Sequence, residues 1–170
     1  MNAVIIYDDF VCAAKANAML EKASYRAGEV ALSDVKPWRV DLLNLPLTAT
    51  EALRDTADAH LIVFALRPAQ FLPVWLLGWL EHWAAHRQVG DAALAVFSGE
   101  SGDAPSASVV TELSRLAERH GLYFIFDDGG SVRDEVADFA RDLHAREISM
   151  TPTLQQIVGG SAHQHWGIND

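Results

Sequence analysis

Short apolar runs alternate with segments of helical periodicity along most of this chain. The runs cover residues 3–7, 38–43, 61–66, 92–97 and 122–126. All except 38–43, which contains Arg39 and Asp41, are apolar at consecutive positions, as expected for strands buried on both faces of a sheet. Helices are predicted over residues 11–27, from Thr50 onward, and over residues 73–86, 106–120 and 131–146. This alternation predicts an α/β domain, a three-layer α/β/α arrangement around a five-stranded parallel sheet. Right-handed crossovers favour the strand order 2-1-3-4-5.

The C-terminal segment differs from the rest because its apolar periodicity stops. Residues 150–170 are dominated by Thr, Pro, Gln, Gly and His. We therefore predict one domain over residues 1–148 and an irregular C-terminal tail over residues 149–170, which suits a chain of 170 residues. Trp166 and Ile168 follow Gly159-Gly160 and are typical of an apolar anchor on a tether. The tail is expected to dock on this chain, on a second copy or on another protein.

Charge and cysteine content narrow the classes of function. A formal net charge of −10 argues against binding to nucleic acid or to anionic membranes, because both need cationic patches. The single Cys12 excludes an intramolecular disulfide and fits a reducing compartment. The first residues lack the basic region and the apolar length of a signal peptide, and no apolar stretch reaches the ~20 residues of a membrane span. These features predict a soluble, cytoplasmic protein.

Three segments resemble the NADPH-dependent FMN reductase family. They are Val-Asp-Leu-Leu-Asn-Leu-Pro-Leu at 40–47, Ala-Asp-Ala-His-Leu-Ile-Val-Phe-Ala-Leu-Arg-Pro at 57–68 and Ala-Ala-Leu-Ala-Val-Phe-Ser-Gly-Glu-Ser-Gly at 92–102. The resemblance covers roughly residues 1–146. It implies a flavodoxin-like fold, with a ligand in the crevice at the carboxyl ends of the strands, where FMN binds in that family. The residues placed at this crevice are Asp8, Asp9, Arg67, Ser98 and Gly99.

The chain departs from the family at the phosphate-binding loop. That loop is rich in Gly, Ser and Thr in the family, whereas residues 7–14 here read Tyr-Asp-Asp-Phe-Val-Cys-Ala-Ala. A carboxylate about 5 Å from a phosphate costs about 3 kcal/mol at an effective dielectric constant of 20. FMN is therefore possible but disfavoured as a cofactor. We expect a divergent, non-catalytic protein that acts through protein contacts or an unidentified small ligand. An FMN-dependent NAD(P)H oxidoreductase with an unusual phosphate loop is the alternative.

A second resemblance is to response-regulator receiver domains. They share this strand order and carry an acidic pair after the first strand and a hydroxyl after the fourth, which Asp8, Asp9 and Ser98 match. The phospho-accepting Asp of that family would fall at Ala65. The resemblance therefore implies a degenerate regulatory domain that does not accept phosphate. The sequence contains no identifiable catalytic set of nucleophile, base and orienting residue. Whether the protein is an enzyme therefore stays open.

Other residues with chemical potential have alternative interpretations. Asp8 and Asp9 suit a divalent cation, or one caps the following helix while the other pairs with Arg67. His82 and His86 have the spacing of two metal ligands on a helix, but no third ligand is identifiable, and a His in a last helical turn is favourable in itself. No metal site is predicted. Cys12 is expected to be a small buried apolar residue rather than a reactive thiol.

Three tryptophans form a stripe on the third predicted helix. Trp75, Trp79 and Trp83 recur at i, i+4 and i+8, and the helix is apolar around most of its circumference. Aromatic residues are enriched at the centres of protein interfaces, and flavin reductases of this fold commonly dimerise near this helix. The pattern predicts a homodimer through the Trp75/Trp79/Trp83 helix. The alternative is a thick core against the sheet.

Overall fold

A computed structural model describes residues 1–27, 34–67, 71–97, 106–126 and 132–159, with the backbone alone for residues 147–159. The five strands form one parallel sheet in the order β2-β1-β3-β4-β5. They are β1 (Asn2–Tyr7), β2 (Asp34–Arg39), β3 (Leu61–Ala65), β4 (Ala93–Val96) and β5 (Tyr123–Phe126). The predicted α/β architecture and strand order, those of the flavodoxin-like fold, are confirmed.

Helices connect the strands in the described parts of the chain. They are α1 (Phe10–Ala27), α2 (Pro46–Asp55), α3 (Val74–His86), α4 (Ala107–His120) and α5 (Val132–Gly159), with a 3-10 turn at Val40–Asn44. The Ser106 hydroxyl accepts the N–H of Val109 at 3.3 Å and so caps α4. Gly121 ends the same helix with φ of 64°, a left-handed conformation that a residue without a Cβ adopts easily. None of the described helices has the length and apolar character needed to cross a membrane.

The sheet separates two apolar layers. One cluster packs α2, α3 and α4 against one face, with Phe64, Leu76, Trp83 and Leu113 at its centre. The other packs α1 and α5 against the opposite face. Every residue of β3 is buried, because this strand lies in the middle of the sheet and is covered on both sides.

The second strand is not where the sequence predicts it. The prediction placed it at residues 38–43, whereas β2 is Asp34–Arg39 and the residues after it form the 3-10 turn with Leu43 buried. Pro37 lies inside the strand and is paired in register with Ile5. Proline is tolerated here because an edge strand pairs on one side only. The first turn of α2 also starts earlier than Thr50, at Pro46, a favourable first helical residue.

The last helix is longer than predicted. It was expected to end at Arg146, but the backbone of α5 stays helical through Gly159, so residues 149–159 are not irregular. Apolar periodicity reports a face that packs on a core, and its loss from residue 150 onward does not by itself end a helix. The division at residue 148 into a domain and a tail stays a prediction. Trp166 and Ile168 lie outside the described residues.

Candidate functional site at the carboxyl rim of the sheet

Asp8 and Arg67 meet at the carboxyl ends of neighbouring strands. Tyr7 of β1 is in register with Ala65 of β3, so the residues that follow each strand are brought to the same point on the rim. Both carboxylate oxygens of Asp8 accept the backbone N–H of Arg67, each at 3.1 Å. The guanidinium Nε of Arg67 also donates to Asp8 Oδ2 at 3.3 Å. The carboxylate therefore holds the chain that leaves β3.

Asp9 has a different partner, although it is adjacent in sequence. Its Oδ1 accepts the N–H of Val11 at 2.7 Å, and its carbonyl accepts the N–H of Ala13 at 3.0 Å. Asp9 is thus the N-cap of α1, where a carboxylate also interacts favourably with the helix dipole. The prediction that one acid caps the helix while the other pairs with Arg67 is confirmed. Together the two carboxylates accept hydrogen bonds from the backbone N–H groups and the guanidinium that a bound anion would need as donors.

The electrostatic environment of the rim is negative. The side chain of Asp8 is 22% exposed, while that of Arg67 is 68% exposed, so the cation is the better screened of the two. Cys12, in the first turn of α1, responds to the same field. Burial raises the pKa of its thiol, and the nearby charges of Asp8 and Asp9 raise it further. Cys12 was expected to be buried and is instead half-buried; its raised pKa disfavours an activated nucleophile.

A second cation of the rim is also neutralised by a neighbour. Arg39, the last residue of β2, donates from Nε to Asp41 Oδ1 at 2.8 Å. This hydrogen bond lowers the pKa of the Asp41 carboxyl. Both cations that follow the strands on this side of the sheet are thus held by the protein's own carboxylates.

The crevice after β4 lies outside the described residues. Ser98 and Gly99, which were predicted to line it, belong to this segment, residues 98–105. Residues 68–70, which follow Arg67, are likewise outside the description. The described part of the predicted site therefore consists of Asp8, Asp9 and Arg67.

Exposed apolar side chains surround this part of the rim, and the sequence reasoning missed them. They begin the three helices that follow β1, β2 and β3, or lie just before those helices. Phe10 is 71% exposed, Leu47 is 87% exposed and Val74 is 85% exposed. All of these residues lie near the carboxyl end of the sheet, Phe10 and Val11 on the side of α1, and Leu45, Leu47, Phe71 and Val74 on the side of α2 and α3. We refer to them together as the apolar rim. The signal in the sequence was apolar residues in first helical turns, outside the core-facing spacing.

The tryptophan helix contributes mainly to the core of its own chain. Trp79 is 6% exposed and Trp83 is 1% exposed. Their indole N–H groups donate to the carbonyl of Ala49 at 3.2 Å and to that of Thr56 at 2.9 Å. Only Trp75 of the stripe is half-buried. The outward face of α3 instead carries Val74, Gly78, His82 and Ala85.

The two histidines of α3 do not form a metal centre with other described side chains. The exposed rings of His82 and His86 stack with a centroid separation of 4.2 Å. His86 Nδ1 lies 2.8 Å from the carbonyl oxygen of His82. Within the described ranges, no three His, Cys, Asp or Glu side chains are grouped so as to hold a metal ion.

Comparison with known proteins assigns no function to these residues. No protein-family model matches the chain, and no curated protein matches its sequence.

Proposed function

We propose that this chain is a divergent, non-catalytic flavodoxin-like protein that acts through contacts made at the carboxyl rim of its sheet. One observation carries the proposal. The Asp8 carboxylate takes up both the backbone N–H and the guanidinium of Arg67, where a bound phosphate would need those donors. This contact supports the proposal because it leaves these donors unavailable to an anion.

A phosphate-bearing cofactor would have to overcome both acids. It would displace Asp8 from Arg67 and compete with Asp9 for the N–H of Val11, at the helix end that binds phosphates in α/β folds. Each carboxylate left about 5 Å away costs about 3 kcal/mol at an effective dielectric constant of 20. A factor of ten in affinity corresponds to about 1.4 kcal/mol, so FMN binding is weakened by several decades unless new contacts offset the repulsion.

The apolar rim supports contact with a protein. Scattered exposed apolar residues are ordinary, but a group of them on one edge marks an interaction surface. Two large side chains of the apolar rim are more than two-thirds exposed, Phe10 at 71% and Leu47 at 87%. Burying such a side chain contributes about 1.5–3 kcal/mol. A partner that covers several of them therefore gains enough for a specific complex.

A second copy of the chain is the partner that we propose for α3. Two copies with a net charge of −10 each repel one another, so they associate best through a face without charged side chains. The outward face of α3 comes close to this, because Val74, Gly78 and Ala85 are exposed on it and the charge of Glu81 beside them is paired with Arg119. A Cβ built at Gly78 meets nothing within 4 Å, so another helix can approach closely there. This proposal keeps the predicted homodimer and moves its centre from Trp79 to Val74 and Gly78.

Two other functions are compatible with the fold, and the FMN titration described below tests the first of them. The resemblance to NADPH-dependent FMN reductases favours an FMN-dependent oxidoreductase, whose phosphate contacts would be Arg67 and the segment containing Ser98 and Gly99. The receiver resemblance favours a degenerate regulatory domain, with Ala65 at the position of the phospho-accepting residue. A cytoplasmic location is proposed on the basis of the unpaired Cys12.

Titration of the purified protein with FMN tests the proposal. Flavin fluorescence should remain unchanged at micromolar protein, and the protein as purified should not absorb near the flavin band at about 450 nm. A saturable quench with low-micromolar affinity would contradict it. The double variant Asp8→Asn/Asp9→Asn removes both negative charges and should bind FMN more tightly than the wild type does. Glu51→Gln, an exposed acid on α2, is the control for a general change in net charge.

A further inference from the structure

A cavity lies at the opposite edge of the sheet from β2. It has a volume of about 220 Å³ and is enclosed by the edge strand β5, by α5 and by Asp91 before β4. Asp91 and Tyr123 stand at the amino ends of β4 and β5. The strand order also separates this cavity from Asp8 by the whole width of β3 and β4. It is therefore distinct from the carboxyl rim.

The face of α5 that lines the cavity is acidic. Glu135, Asp138, Asp142 and Arg146 lie on one face of α5, at intervals of three and four residues, and all four line the cavity. With Asp91 the lining holds four carboxylates against a single guanidinium. Asp138 also pairs with Arg141 on the same helix. The opening of the cavity thus carries a negative potential that attracts cations.

The one cation in the lining is held by other groups of the protein. Arg146 Nη1 lies 3.0 Å from Asp91 Oδ1, and Arg146 Nη2 donates to the hydroxyl of Tyr123 at 3.1 Å. These two hydrogen bonds raise the pKa of the guanidinium, so Arg146 stays charged while it closes one end of the cavity. The carboxylates of Asp138 and Asp142 line the cavity about two turns and one turn before Arg146 on the same helix.

The inner wall of the cavity is aromatic and aliphatic. The rings of Tyr123 and Phe139 are 5.5 Å apart with an interplanar angle of 57°, and Leu143 is buried beside them. Aromatic faces attract organic cations through the negative charge above and below the ring. An apolar wall combined with a carboxylate opening recognises a molecule that has one apolar end and one cationic end.

We propose that this cavity binds a small organic cation, a primary ammonium group on a short aromatic or aliphatic chain. Size supports this class, because pockets for drug-sized ligands and cofactors occupy about 300–1,000 Å³ and the cavity is smaller than that range. It suits one ring with a short arm. Charge excludes phosphates and carboxylic acids as occupants. A second copy of this acidic chain is also a poor occupant, because its charge has the same sign. The proposal is independent of the function proposed for the rim.

Titration with 2-phenylethylammonium, followed by backbone amide shifts in NMR spectra, tests the site. The expected result is saturable binding with the largest shifts at Tyr123, Phe139 and Leu143. The neutral isostere 2-phenylethanol should bind more weakly, and added salt should weaken the binding of the ammonium alone. Asp142→Asn should weaken ammonium binding by about two- to fivefold, the range of an exposed ion pair. The double variant Asp138→Asn/Asp142→Asn should weaken it further.

Controls separate the proposed site from general attraction to an acidic protein. Glu51→Gln lies on α2, near the opposite edge of the sheet, and should leave ammonium affinity unchanged. Asp8→Asn should also leave it unchanged, which separates failure of this proposal from failure at the rim. Equal binding of the alcohol and the ammonium, or shifts scattered over all acidic surfaces, would overturn the proposal. No binding of either probe at millimolar concentration would overturn it as well. Melting curves of each variant check that the fold is intact.

Discussion

The carboxylate of Asp8 accepts the backbone N–H of Arg67 through both of its oxygens, each at 3.1 Å. The side chain directly after β1 therefore holds the backbone just after the neighbouring strand β3. Asp9, the next residue, does nothing of the kind and caps α1 instead. The two acids look equivalent in the sequence, yet they stabilise different elements. This difference leads to the first prediction.

Substitutions of Asp8 and Asp9 should differ in their effect on stability. Asp8→Ala removes a charge-assisted contact that is only partly exposed and should lower the free energy of unfolding by about 1–2 kcal/mol. Asp9→Asn should change it by less than about 0.5 kcal/mol, because Asn caps helices as well as Asp, whereas Asp9→Ala should cost about 1 kcal/mol. Urea unfolding measures all three variants. Equal costs for Asp8→Ala and Asp9→Asn would contradict the assigned roles.

The buried indoles should contribute unequally to stability. Trp83→Phe removes the hydrogen bond to the carbonyl of Thr56 and leaves a small cavity, so it should cost about 1–3 kcal/mol. Trp79→Phe loses a longer bond, 3.2 Å to Ala49, at a less buried position, and should cost about 1 kcal/mol. Chemical unfolding followed by circular dichroism measures both. A larger loss for Trp79→Phe than for Trp83→Phe would contradict the packing.

Glu81 should make stability depend on acid pH. It joins α3 to α4 through Arg119 and through His120, whose Nε2 lies 2.7 Å from Glu81 Oε2. The hydrogen bond to His120 is the main cause that lowers the pKa of Glu81 from its ordinary value of 4.5. A pKa that is lower in the folded state gives stability that is present above 4.5 and is lost as the pH falls below it.

The variant Glu81→Gln should therefore be less stable than the wild type at pH 6 and should lose less stability between pH 6 and pH 3. Thermal melts at half-unit pH intervals measure this difference. Glu118→Gln, an exposed acid on α4, is the matched control and should follow the wild-type curve. Parallel curves for the wild type and Glu81→Gln over this interval would show that the Glu81 contact does not form in solution.

The proposed dimer should depend on the outward face of α3. Val74 is 85% exposed, so Val74→Glu introduces a charge into the proposed contact without disturbing the core. We expect the wild type to sediment as a dimer at tens of micromolar and Val74→Glu to sediment as a monomer with an unchanged melting temperature. An unpartnered charge in an interface is costly.

Tyr25, which is 90% exposed at the far end of α1, provides the matched control as Tyr25→Glu, and this variant should remain dimeric. A monomeric wild type would refute the dimer. Trp79→Glu is not a suitable probe, because it would place a charge inside the core and unfold the protein rather than dissociate it.

Several elements were predictable because the determining interactions are local. Ser106 and Gly121 mark the two ends of α4, and of the apolar residues at helical spacing Val109, Leu113 and Leu116 are buried while Val110 is half-buried. The strands β1, β3, β4 and β5 lie within their predicted runs or extend one residue beyond them. A helix end and a buried strand each depend on the chemistry of a few neighbouring residues, which the sequence displays directly.

The edge strand β2 was less predictable, because its residues lack a continuous apolar signal. The register of β2 is set by pairing with β1 along one side, so exposed residues and Pro37 enter a strand that their composition does not suggest. The apolar rim was missed for a related reason. Phe10, Leu47 and Val74 have the composition of core residues, and only their position in the fold leaves them exposed.

By itself, the sequence determined the layers, the strand order and the presence of two acids where the first strand ends. Right-handed crossovers and apolar runs leave few alternatives to that arrangement. Only the tertiary structure decided that Asp8 rather than Asp9 holds Arg67, which is 59 positions away from Asp8, and that Trp79 and Trp83 face the protein's own core. These contacts arise because β1 and β3 become neighbours and because α3 packs with one particular rotation about its axis. Residues far apart in sequence meet through that packing, and no local pattern records which pairs will do so.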